Sequence, residues 1–90
     1  MPESSETRTA TLPEGVALHA RPAANMVREA AKHAASISLQ ANGKRADAKS
    51  ILQVLALGAK GGTEITVEVA GEAASETADV IAGLLANLSE

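Results

Sequence analysis

The chain has 90 residues, a formal net charge of −3, no cysteine and no phenylalanine, tyrosine or tryptophan. This length fits one small domain, which buries only about 60–65% of the surface of its unfolded chain and has little room for a large cofactor pocket. Without cysteine there are no disulfides or thiolate metal sites. Without aromatic platforms or a basic footprint, nucleic-acid binding is not expected. We therefore expect no bound cofactor and no nucleic-acid partner.

The N-terminus is polar and acidic, and we expect residues 1–5 to form a disordered tail ahead of a single domain at residues 6–89. A signal peptide would instead begin with a basic region before an apolar one. The longest nearly apolar run, residues 51–59, is too short to cross a bilayer. These features predict a cytoplasmic protein without membrane insertion, and we expect it to be a monomer.

The first third of the chain predicts a strand, a loop and a helix. Alternating residues indicate a first strand that ends at Leu12, and Pro13-Glu14-Gly15 opens the loop that follows. From Ala20 to about Ala34 small apolar residues recur at helical spacing, which predicts a first helix with His33 in its last turn. This stripe consists of Ala23, Met26, Val27, Ala30 and Ala34.

The middle of the chain predicts a hairpin and a short helix. Residues 36–41 alternate as a strand, and the Asn42-Gly43 pair that follows is a strong signal for a hairpin with a brief return over residues 44–46. Ser50 is predicted to be the N-cap of a short helix that ends at Gly58.

The last third predicts a strand over residues 63–69 and a final helix from about Ser75 to Leu88, whose apolar stripe is Ala78, Ile81, Ala82, Leu85 and Leu88. The predicted order is therefore β-α-β-β-α-β-α. Because polar residues occupy alternate strand positions, we expect an α+β open-faced sandwich. Its four-stranded antiparallel sheet is covered on one face by three helices and is open to water on the other.

The most informative local pattern is Leu-His-Ala-Arg-Pro-Ala at residues 18–23. Pro22 suits the first turn of a helix, where its missing N–H would have no partner. His19 then lies near the N-cap, beside backbone N–H groups that make a helix start an anion site. Arg21 adds a planar fork of donors that matches phosphate. This pattern predicts that His19 accepts and passes on a phosphoryl group.

Each of these residues also has a plainer interpretation. Taken alone, His19 is compatible with a polar loop residue, and Arg21 with a solvated residue in the first turn of a helix. The sequence does not choose between the two ring nitrogens of His19. The second histidine, His33, is interpreted as structural, because no further His or Cys is available to complete a zinc site.

Residues 16–23 resemble the active-site signature of the HPr family, the histidine-containing phosphocarriers of the bacterial sugar phosphotransferase system. Residues 47–58 resemble the regulatory-serine segment of that family and lie at the family's separation from the histidine. With Asn42-Gly43-Lys44, the similarity covers nearly all of residues 6 to 89. One departure precedes the histidine, since the family usually has glycine where this chain has Ala17.

The resemblance implies the same open-faced fold and a carrier rather than an enzyme. It implies that Enzyme I, charged from phosphoenolpyruvate, phosphorylates His19 on Nδ1. Arg21 would stabilise the phosphate, with Ala20 and Pro22 forming the helix start. The phosphoryl group would then pass to the A domain of a sugar-specific Enzyme II. No metal ion is expected on this chain.

Ser50 is a candidate for two roles that can coexist. As a helix N-cap it contributes roughly 1 kcal/mol to its helix. In similar proteins of some bacteria the equivalent serine is phosphorylated by a dedicated HPr kinase/phosphorylase, which makes Ser50 a candidate regulatory phosphosite. Because a helix N-terminus tolerates negative charge, we expect its phosphate to obstruct docking rather than to unfold the chain.

The short helix has more apolar surface than one buried face requires, because Val54 and Leu57 lie on the side opposite to its other apolar residues. We predict that these other residues form an exposed docking patch beside the histidine. The docking patch consists of Ile51, Leu52 and Leu55, and the resemblance implies Ala20 and Arg28 at its edge. The alternative is a short helix sunk entirely in the core.

Three other functions remain open. The chain could be an HPr-like paralogue that serves a nitrogen-linked or dihydroxyacetone-kinase phosphotransferase chain. It could be a regulatory module that contacts a transcription factor through phosphorylated Ser50, although relatives of that type lack the active histidine and His19 is present here. It could also be a small module that binds free phosphate or an acidic metabolite.

Overall fold

The computed structural model describes residues 5–89, which form four strands and three helices in the predicted order. The strands are β1 (Ser5–Thr11), β2 (Ser36–Ala41), β3 (Lys44–Asp47) and β4 (Glu64–Ala70). The helices are α1 (Ala20–Ala30), α2 (Ile51–Ala56) and α3 (Ala74–Ala86).

The strands form one antiparallel sheet in the order β1-β4-β2-β3. The two central strands are fixed in register by their apolar residues, with Leu39 of β2 opposite Val67 of β4. On the far side of β4, Ile65 lies opposite Ala10 of β1. A shift by one residue would turn these side chains out of the core, so burial specifies the register. The predicted fold class is confirmed.

The hairpin between β2 and β3 has the turn that its sequence predicts. Asn42 and Gly43 have φ values of 55° and 73°, and left-handed backbone at both central positions defines the type I′ turn. The twist of this turn matches the twist of the two strands, so Asn42-Gly43 sets the pairing of Leu39 with Ala46.

The core lies between the sheet and the helices and is aliphatic. Alternate residues of the two central strands, such as Leu39 and Val67, are fully buried. Small side chains at Ala23 and Ala30 leave room for α1 to lie close to its neighbours, and Met26 between them is also buried. The opposite face of the sheet is polar: Glu68 there pairs with Arg45 at 2.8 Å and accepts a hydrogen bond from Gln40 at 3.0 Å.

The predicted end of α1 is wrong, and several other boundaries differ by one or two residues. Helix α1 ends at Ala30, with Ala31 as its C-cap, and not near Ala34, which is exposed. His33 therefore lies beyond the helix rather than in its last turn. The reason is tertiary: the His33 carbonyl oxygen accepts a hydrogen bond from Lys49 Nζ at 2.6 Å, and Ala35 then turns into the core.

The N-terminal boundary differs by one residue. The backbone of Ser5 pairs with Ala70 as the first residue of β1, so the tail predicted for residues 1–5 is one residue too long. The rest of that predicted tail, residues 1–4, lies outside the described residues. None of the helices in residues 5–89 has the length and apolar character needed to cross a membrane.

Candidate functional site

His19 lies at the N-cap of α1, where Pro22 predicts it. Its backbone is extended, with φ −105° and ψ −164°, and its exposed side chain makes no capping hydrogen bond to the helix. The carbonyl oxygen of His19 accepts the N–H of Ala23 at 2.8 Å, which is the first hydrogen bond of α1. The imidazole thus stands at the positive end of the helix dipole, at the surface of the molecule.

The start of α1 retains two backbone donors for an anion. The first N–H groups of a helix have no intrahelical partner, and here they belong to Ala20 and Arg21. Pro22, the third helical residue, has no N–H and is buried, and Ala23 already donates to His19. The proline therefore sits where its missing donor costs nothing, as predicted.

The charge at this helix start also favours an anion. The Arg21 side chain is exposed, and the first turn of α1, all of it within the described residues, contains no acidic side chain. A cation at this end of a helix opposes the dipole by about 0.3–1 kcal/mol. A phosphate bound between the helix start and Arg21 would reverse the sign of this interaction.

The segment from residue 12 to residue 19, which we call the histidine loop, is tied at both ends to the segment that follows α2. At its far end, the N–H of buried Leu18 donates to Ala59 O at 2.9 Å. At its near end, Leu12 exchanges backbone hydrogen bonds with Gly62 and Thr63 at 2.9 and 3.0 Å. These bonds fix the direction from which the chain enters α1.

The predicted docking patch is on the exposed side of α2. Val54 and Leu57 are buried, whereas Ile51, Leu52 and Leu55 are 37%, 77% and 38% exposed. The prediction that the apolar residues of this helix divide between core and surface is confirmed, and the helix is not sunk in the core. Ala20 and Arg28, expected at the edge of the patch, are also exposed.

Ser50 is the N-cap of α2, as predicted. Its Oγ accepts the N–H of Gln53 at 3.3 Å, and the Gln53 side chain in turn accepts the N–H of Asp47 at 2.9 Å. The Asp47 carboxylate accepts the N–H of Lys49 at 2.9 Å. The half-buried serine is thus the central residue of a hydrogen-bonded turn that starts the helix.

Helices α1 and α2 are in contact and run in opposite directions. Leu18, just before α1, bonds to Ala59, just after α2, whereas Lys49, just before α2, bonds to His33, just after α1. Lys49, which precedes Ser50, therefore connects the start of α2 to the end of α1 opposite to the histidine loop.

His33 joins the end of α1 to α3. Its Nε2 lies 2.9 Å from Glu29 Oε2, and because a carboxylate only accepts, we assign the ring proton to Nε2. Its Nδ1 lies 3.4 Å from the hydroxyl of buried Thr77. The hydrogen bond from His33, with a smaller contribution from Lys32, holds the pKa of Glu29 below its usual range.

The structure also shows side-chain contacts that the sequence did not indicate. Asn42, predicted only as a turn residue, donates through Nδ2 to Leu57 O at 3.0 Å and Gly58 O at 3.3 Å. Lys44 Nζ donates to Ala56 O at 3.2 Å. The hairpin thus satisfies carbonyl groups at the C-terminal end of α2. An Asn-Gly pair predicts a turn, but nothing in the neighbouring sequence identifies the distant carbonyl groups to which Asn42 donates.

Metal binding has no geometric support in the described part of the chain. Within residues 5–89, no three side chains among His, Cys, Asp and Glu are grouped so that they could hold a metal ion. The two histidines are also separated, one at each end of α1.

Comparison with known families gives a match over nearly the whole chain. Residues 6–87 match the family model PTS-HPr, described as the PTS HPr component phosphorylation site. The phosphocarrier protein HPr of Mycoplasma capricolum is 40% identical over 73 residues, which are 81% of this chain and 82% of that protein. The phosphocarrier protein HPr of Vibrio cholerae is 39% identical over 71 residues, covering 79% of this chain and 84% of that protein.

Solved structures show the same similarity in three dimensions. The crystal structure of a phosphocarrier protein HPr from Bacillus anthracis superposes with a TM-score of 0.85 at 30% sequence identity. The match covers 91% of this chain and 98% of that one. The resemblance found in the sequence therefore extends to the arrangement of all seven elements.

Proposed function

The chain belongs to the PTS-HPr family of phosphocarrier proteins, and on this premise we propose that His19 accepts a phosphoryl group from Enzyme I charged by phosphoenolpyruvate. His19 then passes the group to the A domains of sugar-specific Enzymes II. In this role the chain is a stoichiometric carrier in the cytoplasm and not an enzyme, since it is itself phosphorylated and dephosphorylated once in each cycle. The observation that carries the proposal is the exposed imidazole at the N-cap of α1, two residues from Arg21.

The chemistry needs few groups on the carrier. The lone pair of the His19 ring nitrogen, Nδ1 by similarity to the family, forms a new N–P bond while the donor's own bond to phosphorus breaks. On transfer to the acceptor, this N–P bond breaks in turn and the ring nitrogen recovers its lone pair. The transferring group has negative charge on its three outer oxygens. The backbone donors of Ala20 and Arg21 and the Arg21 guanidinium are the groups that can stabilise this charge.

The direct test is to incubate the chain with Enzyme I and phosphoenolpyruvate and to measure its intact mass. We expect one added phosphate that is acid-labile and that is absent in His19→Ala. The chain has one other histidine, so His33→Gln is the matched control and should be charged like the wild type. Charging of His19→Ala, or loss of charging in His33→Gln alone, would contradict the assignment.

Arg21 is proposed as the phosphate ligand of the site. Replacing it with Gln removes the charge and the bidentate fork, and removal of such a donor typically costs about 10²-fold or more in rate. We expect Arg21→Gln to slow charging by roughly that factor. Arg45→Gln, on the polar face of the sheet, should leave the rate unchanged. Equal rates for the two variants would remove Arg21 from the site.

The docking patch is proposed as the surface that Enzyme I and the Enzyme II A domains contact. Leu52 is its most exposed member, and a charge there would have to be buried on binding without a partner. Leu52→Glu should therefore raise the KM of each partner while the fold remains intact. Val80→Glu is the matched control, because Val80 is an exposed hydrophobic residue of α3. Unchanged transfer by Leu52→Glu would refute the patch.

Ser50 is proposed as a regulatory phosphosite for an HPr kinase/phosphorylase. A phosphate on Ser50 would lie at the start of α2, whereas the reacting ring lies at the start of α1. This phosphate would act on the docking patch, whose first residue, Ile51, follows Ser50 directly. Incubation with the kinase and ATP, followed by mapping of the phosphate, tests this role, and Ser50→Ala should remain unmodified. A wild-type chain that stays unmodified would exclude it.

The same fold and site also fit a paralogue of a nitrogen-linked or dihydroxyacetone-kinase phosphotransferase chain. The partner that charges the protein distinguishes these systems, because the chemistry at His19 is the same in each. Parallel charging reactions with the cognate Enzyme I of each system would therefore identify the chain in which this carrier works.

A further inference from the structure

Two tight turns face each other, one within the histidine loop and one in the segment that follows α2. In the first, residues 13–16, the N–H of Val16 donates to Pro13 O at 3.1 Å, and Gly15 at the third position has a φ of 81°. In the second, residues 60–63, the N–H of Thr63 donates to Lys60 O at 2.9 Å. The third position of this turn, residue 62, is also a glycine with positive φ. Gly61 is at its second position, where a left-handed conformation is not required.

Gly61 is needed for space and not for its backbone angles, because it is not among the residues with positive φ. A Cβ atom added to Gly61 would lie 2.7 Å from Gly15 N, 2.8 Å from Pro13 O and 3.2 Å from Val16 N. All three are backbone atoms, which cannot rotate away as the end of a side chain can. Either turn would have to move by several tenths of an ångström or more to restore ordinary van der Waals contact.

The histidine loop cannot absorb this movement locally. One side of the contact is held by the bonds of Leu12 to residues 62 and 63, and the other by the bond from Leu18 to Ala59. Both sets of bonds connect the loop to the same short segment, residues 59–63, with Gly61 at its centre. A side chain at Gly61 must therefore lengthen one of these two sets of hydrogen bonds. The bond from Leu18 is the critical one, because His19 is the next residue in the chain.

We propose that Gly61 is a positioning residue for the phosphoryl acceptor. Because it has no side chain, the two turns can be in contact. This contact fixes the distance between the histidine loop and residues 59–63, and with it the position of the His19 ring at the start of α1. This role rests on the proposed function of His19. It concerns a residue far from His19 in the sequence, which does not itself contact the phosphate.

The test compares Gly61→Ala with Gly83→Ala as acceptors of phosphate from charged Enzyme I. Gly83 is exposed on α3, and a Cβ there meets no atom within 4 Å. Because a misplacement of about 1 Å can cost on the order of 10²-fold, we expect kcat to fall about 10- to 100-fold in Gly61→Ala. The KM for the carrier should stay within about twofold, since the docking patch is untouched. Gly83→Ala should match the wild type in both constants.

A second readout separates positioning from general destabilisation. In heteronuclear NMR spectra recorded well below the unfolding temperature, Gly61→Ala should shift the amide signals of Val16, Leu18 and His19 and leave those of α3 unchanged. If charging by Gly61→Ala equals that of the wild type, the positioning role is overturned while the proposed function stands. If the wild type itself is not charged, the proposed function fails, and unshifted loop signals in Gly61→Ala would overturn the positioning role as well.

Discussion

The starts of α1 and α2 are both candidate phosphorylation sites, but they are built in opposite ways. At the start of α2 the Ser50 hydroxyl accepts the N–H of Gln53, so the side chain satisfies its own helix. At the start of α1 the His19 side chain makes no such bond to its helix, and the N–H groups of Ala20 and Arg21 are left for another acceptor.

This difference shows how one structural position can favour either stability or chemistry. A residue that caps its helix stabilises the fold but occupies the donors that an anion would use. A residue that leaves those donors open gives up roughly 1 kcal/mol of capping energy and gains an anion site. Phosphorylation of Ser50 would replace one acceptor by another, whereas phosphorylation of His19 would supply the acceptor that α1 lacks.

The largest effect is expected when the start of α1 is converted into one that resembles the start of α2. Asn is among the best N-cap residues, so His19→Asn should stabilise the domain by about 1 kcal/mol, or roughly 4–8 °C in Tm for a domain of this size. The same change should abolish charging by Enzyme I. Thermal unfolding followed by circular dichroism, together with intact mass after charging, measures both. If His19→Asn is inactive and also less stable than the wild type, it contradicts the proposal that His19 gives up capping energy in order to leave an anion site.

The reverse change at α2 tests the other side of the comparison. Ser50→Ala removes the cap and leaves the N–H of Gln53 to water, and we expect a loss of about 1 kcal/mol in the free energy of unfolding. Charging of His19 should be unchanged. Urea denaturation gives the stability, and Ser50→Asn should restore it, since Asn also caps. A stability unaffected by Ser50→Ala would mean that the observed hydrogen bond does not contribute.

The start of α3 sharpens the comparison, because it is neither capped nor used by the proposed chemistry. Ala73 at this N-cap has a φ of 58°, a left-handed conformation that costs a residue with Cβ about 1–2 kcal/mol. Since glycine loses about 0.5–1 kcal/mol more backbone entropy on folding, Ala73→Gly should stabilise the domain by about 0.5–1 kcal/mol. Ala73→Val should destabilise it. Urea denaturation of both variants checks the sign, which must differ between them.

The smallest effect concerns the other end of α1. The hydrogen bond from His33 lowers the pKa of Glu29, so the ionised carboxylate stabilises the fold. This contribution is present above the usual pKa of glutamate and is lost as the pH falls through the lowered value in the folded state. The stability difference between the wild type and Glu29→Gln should therefore shrink steadily on acidification. A difference that is independent of pH in urea titrations would show that the contact does not depend on the charge of Glu29.

The elements that the sequence predicted well are those with strong local signals. Strict alternation located β4, whose Ile65, Val67 and Val69 are all buried, and Asn42-Gly43 located the hairpin. In the candidate site, Pro22 placed the start of α1 and therefore His19 at its N-cap. These residues act on their immediate neighbours through fixed dihedral angles or missing donors, so a short stretch of sequence is enough to predict the turn or the helix start.

The parts that could not be predicted depend on contacts between distant segments. The alanine-rich run after Ala30 contains no Gly or Pro that would end a helix. Helix α1 ends there because Ala35 must enter the core and because Lys49 Nζ donates a hydrogen bond to the His33 carbonyl oxygen. Likewise, nothing near Gly61 indicates that Pro13 and Gly15 lie against it. Such contacts become visible only when the sheet has brought the segments together.

The opposed directions of α1 and α2 place the two proposed phosphate acceptors, His19 and Ser50, at separate helix starts, so a phosphate on one does not occupy the backbone donors that would hold a phosphate on the other. Charges on the two groups interact through the surrounding water, whose high dielectric constant weakens their repulsion. Dissolved ions weaken it further at physiological ionic strength, where the Debye length is about 8 Å. The two proposed modifications are therefore compatible in one molecule, and mutual exclusion between them would come from competition among the proteins that bind this face.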